Sequence, residues 1–378
     1  MSTSFGFLST YPPTQCGLAT FTAALHSQVV EAGHDTGVVR VVEQVEATVD
    51  AAVVAQMAHD QPGAADRAAA ALNAFDVAVI QHEFGIYAGV DGESVVEVMR
   101  LLTVPSIVVL HTVLVAPTDH QRRVFEAVAG DADALVTMTA TARQRLIDHY
   151  DIDESKVEVI PHGAAEAGHD QPRHRDRPLM LTWGLLGPGK GIERVIDALP
   201  SLRDLTPAPH YLVVGDTHPR VFEREGERYR SSLLARAERL GVADMVTFRS
   251  GYLDVTALRA VAASADVVVL PYDSREQVTS GVLIEAITAR RPVIATAFAH
   301  AVELLGTGAG IVVDHDQHNA MTAAIRQVLC EPAQAAAMAR QASLLAPDLL
   351  WSAVAARYCD LGGALMSADA PADASAMA

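Results

Sequence analysis

Short runs of four to six apolar residues alternate with stretches of helical period along nearly the whole chain. In the first half the runs fall at residues 5–9, 37–42, 77–81, 106–111, 134–138 and 157–161. Val, Ile, Leu and Ala follow one another in them without in-out alternation, so they predict parallel strands covered on both faces. Helical stretches lie between. The clearest spans 18–32, with Leu18, Phe21, Leu25 and Val29 on one face and Gly33 as its stop. The alternation resumes with runs at 179–183, 211–214, 245–248, 267–270, 292–296 and 310–313, and with helices starting near Ile192, Phe222, Val255 and Gly281. The pattern predicts an α/β protein of two doubly wound, Rossmann-like domains facing a cleft.

Residues 164–178 break the rhythm, being polar and aperiodic with two prolines, and are expected to form a linker. The domains are then 1–163 and 179–345. The end is helical from Asp316 to about Gly362 and interrupted at Pro347, so 346–365 is expected to give a helix that crosses back to the first domain. Residues 366–378 offer almost nothing to bury and are expected to be a disordered tail.

Charge narrows the partners. With 28 basic and 46 acidic residues, the formal charge of −18 argues against an electrostatic grip on nucleic acid or anionic lipid. A local basic pocket for phosphate stays open. Three cysteines, none in a C-x-x-C pair, exclude a disulfide framework and a zinc ribbon and suit a reducing cytoplasm. The N-terminal Met-Ser-Thr-Ser-Phe has no basic residue and no long apolar run, which argues against a secretory signal. Residues 101–118 lack charge but are broken by Pro105, His111 and Pro117, which favours a buried strand over a membrane span.

Ligands of open α/β sheets bind beyond the carboxyl ends of the strands. The first such loop, from Thr10 through Tyr11, Pro12 and Pro13 to Gly17, enters a helix whose first N–H groups suit a pyrophosphate; a plain turn glycine is the alternative. Gln81-His82-Glu83-Phe84-Gly85 and His111-Thr112 follow two further strands, as cleft-lining candidates or as satisfied polar networks. Residues 183–191 form a glycine-rich turn ending in Lys190, without the Walker spacing but fit to hold phosphate by charge and backbone donors. After the apolar strand at 267–270, a polar loop with Arg275, Glu276 and Gln277 leads to Ser280-Gly281 at a helix start. Glu285 lies among apolar neighbours there, suited either to a ribose diol or to capping backbone amides.

These segments together resemble the family 4 glycosyltransferases, retaining enzymes of the GT-B fold. The resemblance rests on Tyr11-Pro12-Pro13 with Gly17, Ile160-Pro161-His162-Gly163, residues 184–191, residues 280–296, and Glu303-Leu304-Leu305 before 310–314. It implies a nucleotide-sugar donor as substrate, no cofactor, and no metal. It implies that Gly17 and Gly184 face the donor diphosphate, Lys190 neutralises it, Ser280, Gly281 and Glu285 hold the nucleotide, and His111 contacts the donor sugar. Tyr11, Gln81, His82 and Glu83 would line the acceptor side. Two positions depart from the pattern. The first of the family's paired glutamates is replaced by Gln277, with Glu276 beside it, and the arginine of the phosphate loop is Leu185, leaving Lys190 the main cation with Arg275 or Arg194 as helpers. The function expected is a hexosyl transfer to a soluble carbohydrate or small-molecule acceptor. A non-catalytic GT-B domain, or a phosphorylase or epimerase on the same scaffold, are the alternatives. Residues 18–32 contain no Lys or Arg, which argues against membrane contact.

Overall fold

The computed structural model describes residues 3–47, 50–166, 176–251, 253, 255–317 and 319–368. Most of the expected linker (167–175) and of the expected tail (369–378) lies outside the described residues. The chain divides into two compact units, one made of Met1–Gly163 and Trp351–Ala378, the other of Ala164–Leu350.

The first unit is built on a seven-stranded sheet. Its strands are β1 (Ser4–Ser9), β2 (Asp35–Val42), β3 (Val53–Ala58), β4 (Val77–His82), β5 (Ser106–Leu110), β6 (Ala134–Thr137) and β7 (Val157–Val159). They are parallel throughout, in the order β3-β2-β1-β4-β5-β6-β7. The uncharged stretch at 101–118 is accounted for by β5, buried along its length, and no helix among the described residues is long and apolar enough to cross a membrane. The edge strand β3 is the one element of this sheet absent from the apolar pattern. Its residues are mostly half-exposed, with Val54 open to solvent, so the continuous burial that marks the inner strands is missing. On one face, Phe5 and Phe7 of β1 pack with Phe21, Leu25 and Val29 of the helix Gly17–Glu31 and with Val354, Ala355 and Tyr358 of the helix Trp351–Ala368. Each large side chain buried there contributes about 1.5–3 kcal/mol.

The second unit holds β8 (Leu179–Trp183), β9 (His210–Val214), β10 (Val246–Arg249), β11 (Val267–Leu270), β12 (Val293–Thr296) and β13 (Gly310–Val313). These too are parallel, in the order β10-β9-β8-β11-β12-β13. The single helix expected from Phe222 is two, Pro219–Glu225 and Arg228–Arg239, because Gly226 turns left-handed between them. In both sheets the order reverses beside the first strand of the unit, between β1 and β4 and between β8 and β11. Connections there leave to opposite faces, which opens a crevice at the carboxyl ends of those strands.

Candidate active site

At the second switch point the backbone itself is the prominent feature. The turn leaving β8 lies against the turn leaving β9: Gly184 N donates to Val214 O at 3.0 Å and Leu186 N to Asp216 O at 2.8 Å. A Cβ on Gly215 would be driven into the carbonyl oxygen of Gly184, and one on Gly191 into that of Pro271. Both glycines also have positive φ, so no other residue fits either place without moving main chain. Lys190 is carried between these contacts, its Nζ 4.5 Å from the centre of the Tyr272 ring. Among the described residues Lys190 has no carboxylate partner. Arg194 and Arg275, its expected helpers, are committed elsewhere: Arg194 Nε donates to Asp273 at 2.8 Å and Arg275 to both oxygens of Asp316 at 2.8 Å. Leu185 has no polar group to offer a phosphate. The nearby His218 has its pKa lowered, first by burial and then by the positive charges of Arg220 and Lys190, so a neutral ring borders the lysine.

Beyond β11, Ser280 caps the helix Gly281–Thr288, its Oγ accepting from Leu283 N at 3.3 Å. Its own N–H donates to Nδ1 of buried His300 at 2.9 Å, which places the proton of a neutral His300 on Nε2. Gln277 Nε2 donates to Thr279 O at 2.9 Å, leaving the amide oxygen as its remaining acceptor, while Glu276 is exposed. One turn into the helix, Glu285 accepts from the indole N–H of Trp183 at 2.8 Å. That contact replaces the backbone-capping alternative. Burial pushes the Glu285 carboxyl up to about 7, against the opposing effect of the Trp183 hydrogen bond, so it exchanges a proton near neutrality.

The first switch point is furnished with side chains. Gly17 opens its helix with free space beside it, under a soft cap: Cys16 Sγ accepts from Ala19 N at 3.4 Å, and the first turn has no acidic residue. Across the crevice, His111 Nε2 meets Gln81 Oε1 at 2.7 Å. An amide oxygen only accepts, so this assignment puts the imidazole proton on Nε2 and leaves Nδ1 as a lone pair. The Gln81 side chain is fully buried and its Nε2 lacks a partner. Glu83 accepts from Thr112 Oγ1 at 2.5 Å and from Phe84 N at 3.1 Å. An aromatic frame encloses the imidazole: Phe21 sets its edge against His111, His162 and Trp351, with ring centroids 4.9–5.1 Å apart. Burial, reinforced by His162 and His82, pushes His111 down to about 3, and burial brings His82 and His162 to about 4. All three are neutral at pH 7.

Two expected lining residues turn out to be core. Tyr11 is buried against Phe7 and Phe21, and His82 is wedged edge-on between Phe84 and Phe125. Sequence reasoning missed Arg40. This buried β2 arginine donates to Tyr11 O at 3.1 Å and Thr14 Oγ1 at 3.0 Å, fixing the loop that leads to Gly17. A charged residue inside an apolar run was its visible signal. Trp183, at the end of β8, was missed as the partner of Glu285. Among the described residues no group of three or more His, Cys, Asp or Glu is arranged to hold a metal ion.

Residues 166–344 match the family of glycosyl transferases group 1. Over 234 residues the chain is 30% identical to the GDP-mannose-dependent alpha-(1-6)-phosphatidylinositol monomannoside mannosyltransferase of Mycolicibacterium smegmatis, covering 57% of this chain and 58% of that one. It is 28% identical over 255 residues to the D-inositol 3-phosphate glycosyltransferase of Segniliparus rotundus, covering 63% and 54%. The chain therefore spans little more than half the length of these relatives. In structure it is similar to Anabaena HepE in complex with UDP, with a TM-score of 0.75 over 96% of this chain and all of that one at 15% identity. With two parallel Rossmann-like sheets, the chain has the GT-B fold, and its residues 166–344 match the glycosyl transferases group 1 family.

Proposed function

We propose that the protein is a retaining glycosyltransferase of the family 4 type, moving a hexose from a nucleotide sugar to a carbohydrate or small-molecule acceptor without a metal. The observation that carries this reading is the glycine-backed turn at 184–191. It brings bare main chain and an unneutralised Lys190 to the carboxyl end of β8, where a diphosphate is favoured by charge and backbone donors together. Glu285, titrating near neutrality beside Trp183, suits a ribose diol because it can accept from one hydroxyl and, when protonated, donate to the other.

In the proposed reaction the bond from the sugar C1 to the diphosphate breaks and its electron pair leaves on phosphate oxygen. Lys190 faces that growing negative charge, so it binds the transition state more tightly than the ground state. The acceptor hydroxyl attacks C1 from the same face and passes its proton to the departing phosphate. In the first unit, neutral His111, with its lone pair on Nδ1, suits a hydrogen bond from a sugar hydroxyl; in the second, Gln277 keeps an amide oxygen as an acceptor. Within the first unit, Gly17 opens a helix whose N–H groups favour an anion. A second reading, nucleotide binding without transfer, draws on Leu185 and Gln277, which remove a cation and a carboxylate from the family pattern.

The test is a thermal-shift and calorimetry screen against UDP, GDP and ADP and their sugars, first without metal and then with Mg²⁺. GDP-mannose and UDP-glucose come first, being named for a relative and for a structural neighbour. Stabilisation by one nucleoside diphosphate, lost in Lys190→Ala and Glu285→Ala, supports the assignment. Binding without turnover of any donor selects the second reading, and no binding of any nucleotide sinks both.

A further inference from the structure

The opposite edge of the second sheet holds a separate hollow of about 520 Å³. Pro178, Asp266 and Pro292, which immediately precede β8, β11 and β12, form part of its wall. The strands are four or five residues long, so this wall stands roughly 15 Å from the glycine turn at their other ends.

In a chain with a formal charge of −18, the lining holds Arg177, Arg290 and Arg291 against the single carboxylate of Asp266. One oxygen of Asp266 is occupied by Leu179 N at 2.7 Å. Arg177 is fixed by main-chain carbonyls, donating to those of Ala208 at 2.8 Å, Pro209 at 2.9 Å and Asp244 at 3.1 Å, so its charge is anchored without a carboxylate partner in those bonds. Arg291 is buried. The fourteen-residue helix Pro332–Leu345 starts in the same wall with no acidic residue in its first turn, adding the positive end of its dipole.

Arg290 is the telling residue. It follows the helix Gly281–Thr288 in the left-handed region, at φ +56°. Its N–H donates to Ile287 O at 2.9 Å and that of Arg291 to Ala286 O at 3.2 Å, the paired bonds of a helix end whose left-handed position normally belongs to glycine. Arginine there strains the backbone, and the strain places a guanidinium on the rim of the hollow. We infer that this hollow is a binding site for a small phosphomonoester, separate from the proposed donor site. The guanidinium groups of Arg177 and Arg290 match a dianionic phosphate, and the walls of Pro, Ala, Val328 and Leu329 suit a compact carbon body. No aromatic side chain lines the hollow, which disfavours a nucleobase.

Titration calorimetry of the full chain with glycerol 3-phosphate, using glycerol as the uncharged control, tests the assignment. Glycerol 3-phosphate is expected to bind and glycerol not. Arg290→Gly, which fits the backbone better than the native residue, is expected to weaken binding about tenfold while raising Tm by about 2–4 °C. Lys190→Ala is expected to leave the binding unchanged. Unaltered affinity in Arg290→Gly overturns the proposal, as does loss of binding in Lys190→Ala, which would put the anion in the glycine turn. Absence of binding to the wild-type chain at millimolar concentration overturns it as well.

Discussion

At the carboxyl ends of the first sheet the groups on offer are side chains, while at those of the second they are mainly backbone. His111, Gln81, Glu83 and Thr112 form two neutral or internally paired couples inside an aromatic frame. The turn at 184–191 instead sets main chain against main chain, with one lysine that has no carboxylate partner among the described residues. Directional side-chain groups of the first kind discriminate hydroxyl patterns. A cation on bare backbone recognises a diphosphate whatever is attached to it. The same topology thus supplies two chemistries, because the loops after the strands, and not the strands, decide what is presented.

The largest effect that would test this contrast is on turnover. Lys190→Ala is expected to lower kcat/KM by about a thousandfold in an initial-rate assay with the donor found by screening, whereas Lys190→Arg retains part of the rate. An unchanged rate in Lys190→Ala would remove charge from the account of the second site. Next comes backbone tolerance. Gly215→Ala collides with Gly184 and is expected to cost about 3 kcal/mol or more in urea unfolding, while Gly17→Ala, with open space and a helical position, changes stability by about 0.5 kcal/mol or less. Similar costs for the two would break the contrast between backbone and side-chain presentation.

The pH dependence of stability sharpens the comparison because the two sites carry opposite signs. Above about pH 7.5 the three histidines of the first unit are neutral in both states and contribute no slope. Below that, the unfolded chain takes up protons that the folded one refuses until about pH 4 for His82 and His162 and about 3 for His111, so stability falls with falling pH. Glu285 ionises at about 4.5 unfolded and about 7 folded, so its contribution is present below 4.5 and lost as pH rises to 7. Each proton is worth about 1.4 kcal/mol per pH unit, and three outweigh one. Urea titrations between pH 4.5 and 7 should show net acid destabilisation, shallower in His82→Leu and steeper in Glu285→Gln. The smallest effect is expected from Gln81→Met. Removing the acceptor of the His111 N–H lowers kcat about tenfold with about 1–2 kcal/mol of stability, read as a rate loss in the presence of saturating donor.

What the sequence made legible follows from range. Inner strands such as β5 and β11 are buried on both faces, so their runs of Val, Ile and Leu announce them locally, whereas β3 sits at an edge and its burial is half complete. Lys190, Ser280 and Gln81 could be singled out because each lies near the end of a strand or in the turn that leads into a helix. The partners were not legible. Trp183 reaches Glu285 across 102 positions, and Phe21 meets Trp351 across a longer gap, contacts that no local period encodes. Tyr11 and His82 misled for the same reason: each stands where a strand gives way to a polar loop, and only the packing of Phe7, Phe84 and Phe125 turns them inward.

The second unit, Ala164–Leu350, is inserted within the first, and its two ends are clasped by the Ala164 N–H donating to Leu349 O at 2.8 Å. Synthesis from the ribosome gives this arrangement a temporal meaning. The second unit is synthesised before the helix Trp351–Ala368, while the core around Phe5 and Phe7 must wait for that helix to bring Val354 and Tyr358. Gly362 lies so close to the Phe5 ring that no Cβ would fit, so the late helix seats directly on the earliest strand. The nascent first unit therefore passes tens of seconds at ordinary translation rates with part of its apolar sheet uncovered, a window for chaperone capture that the second unit escapes.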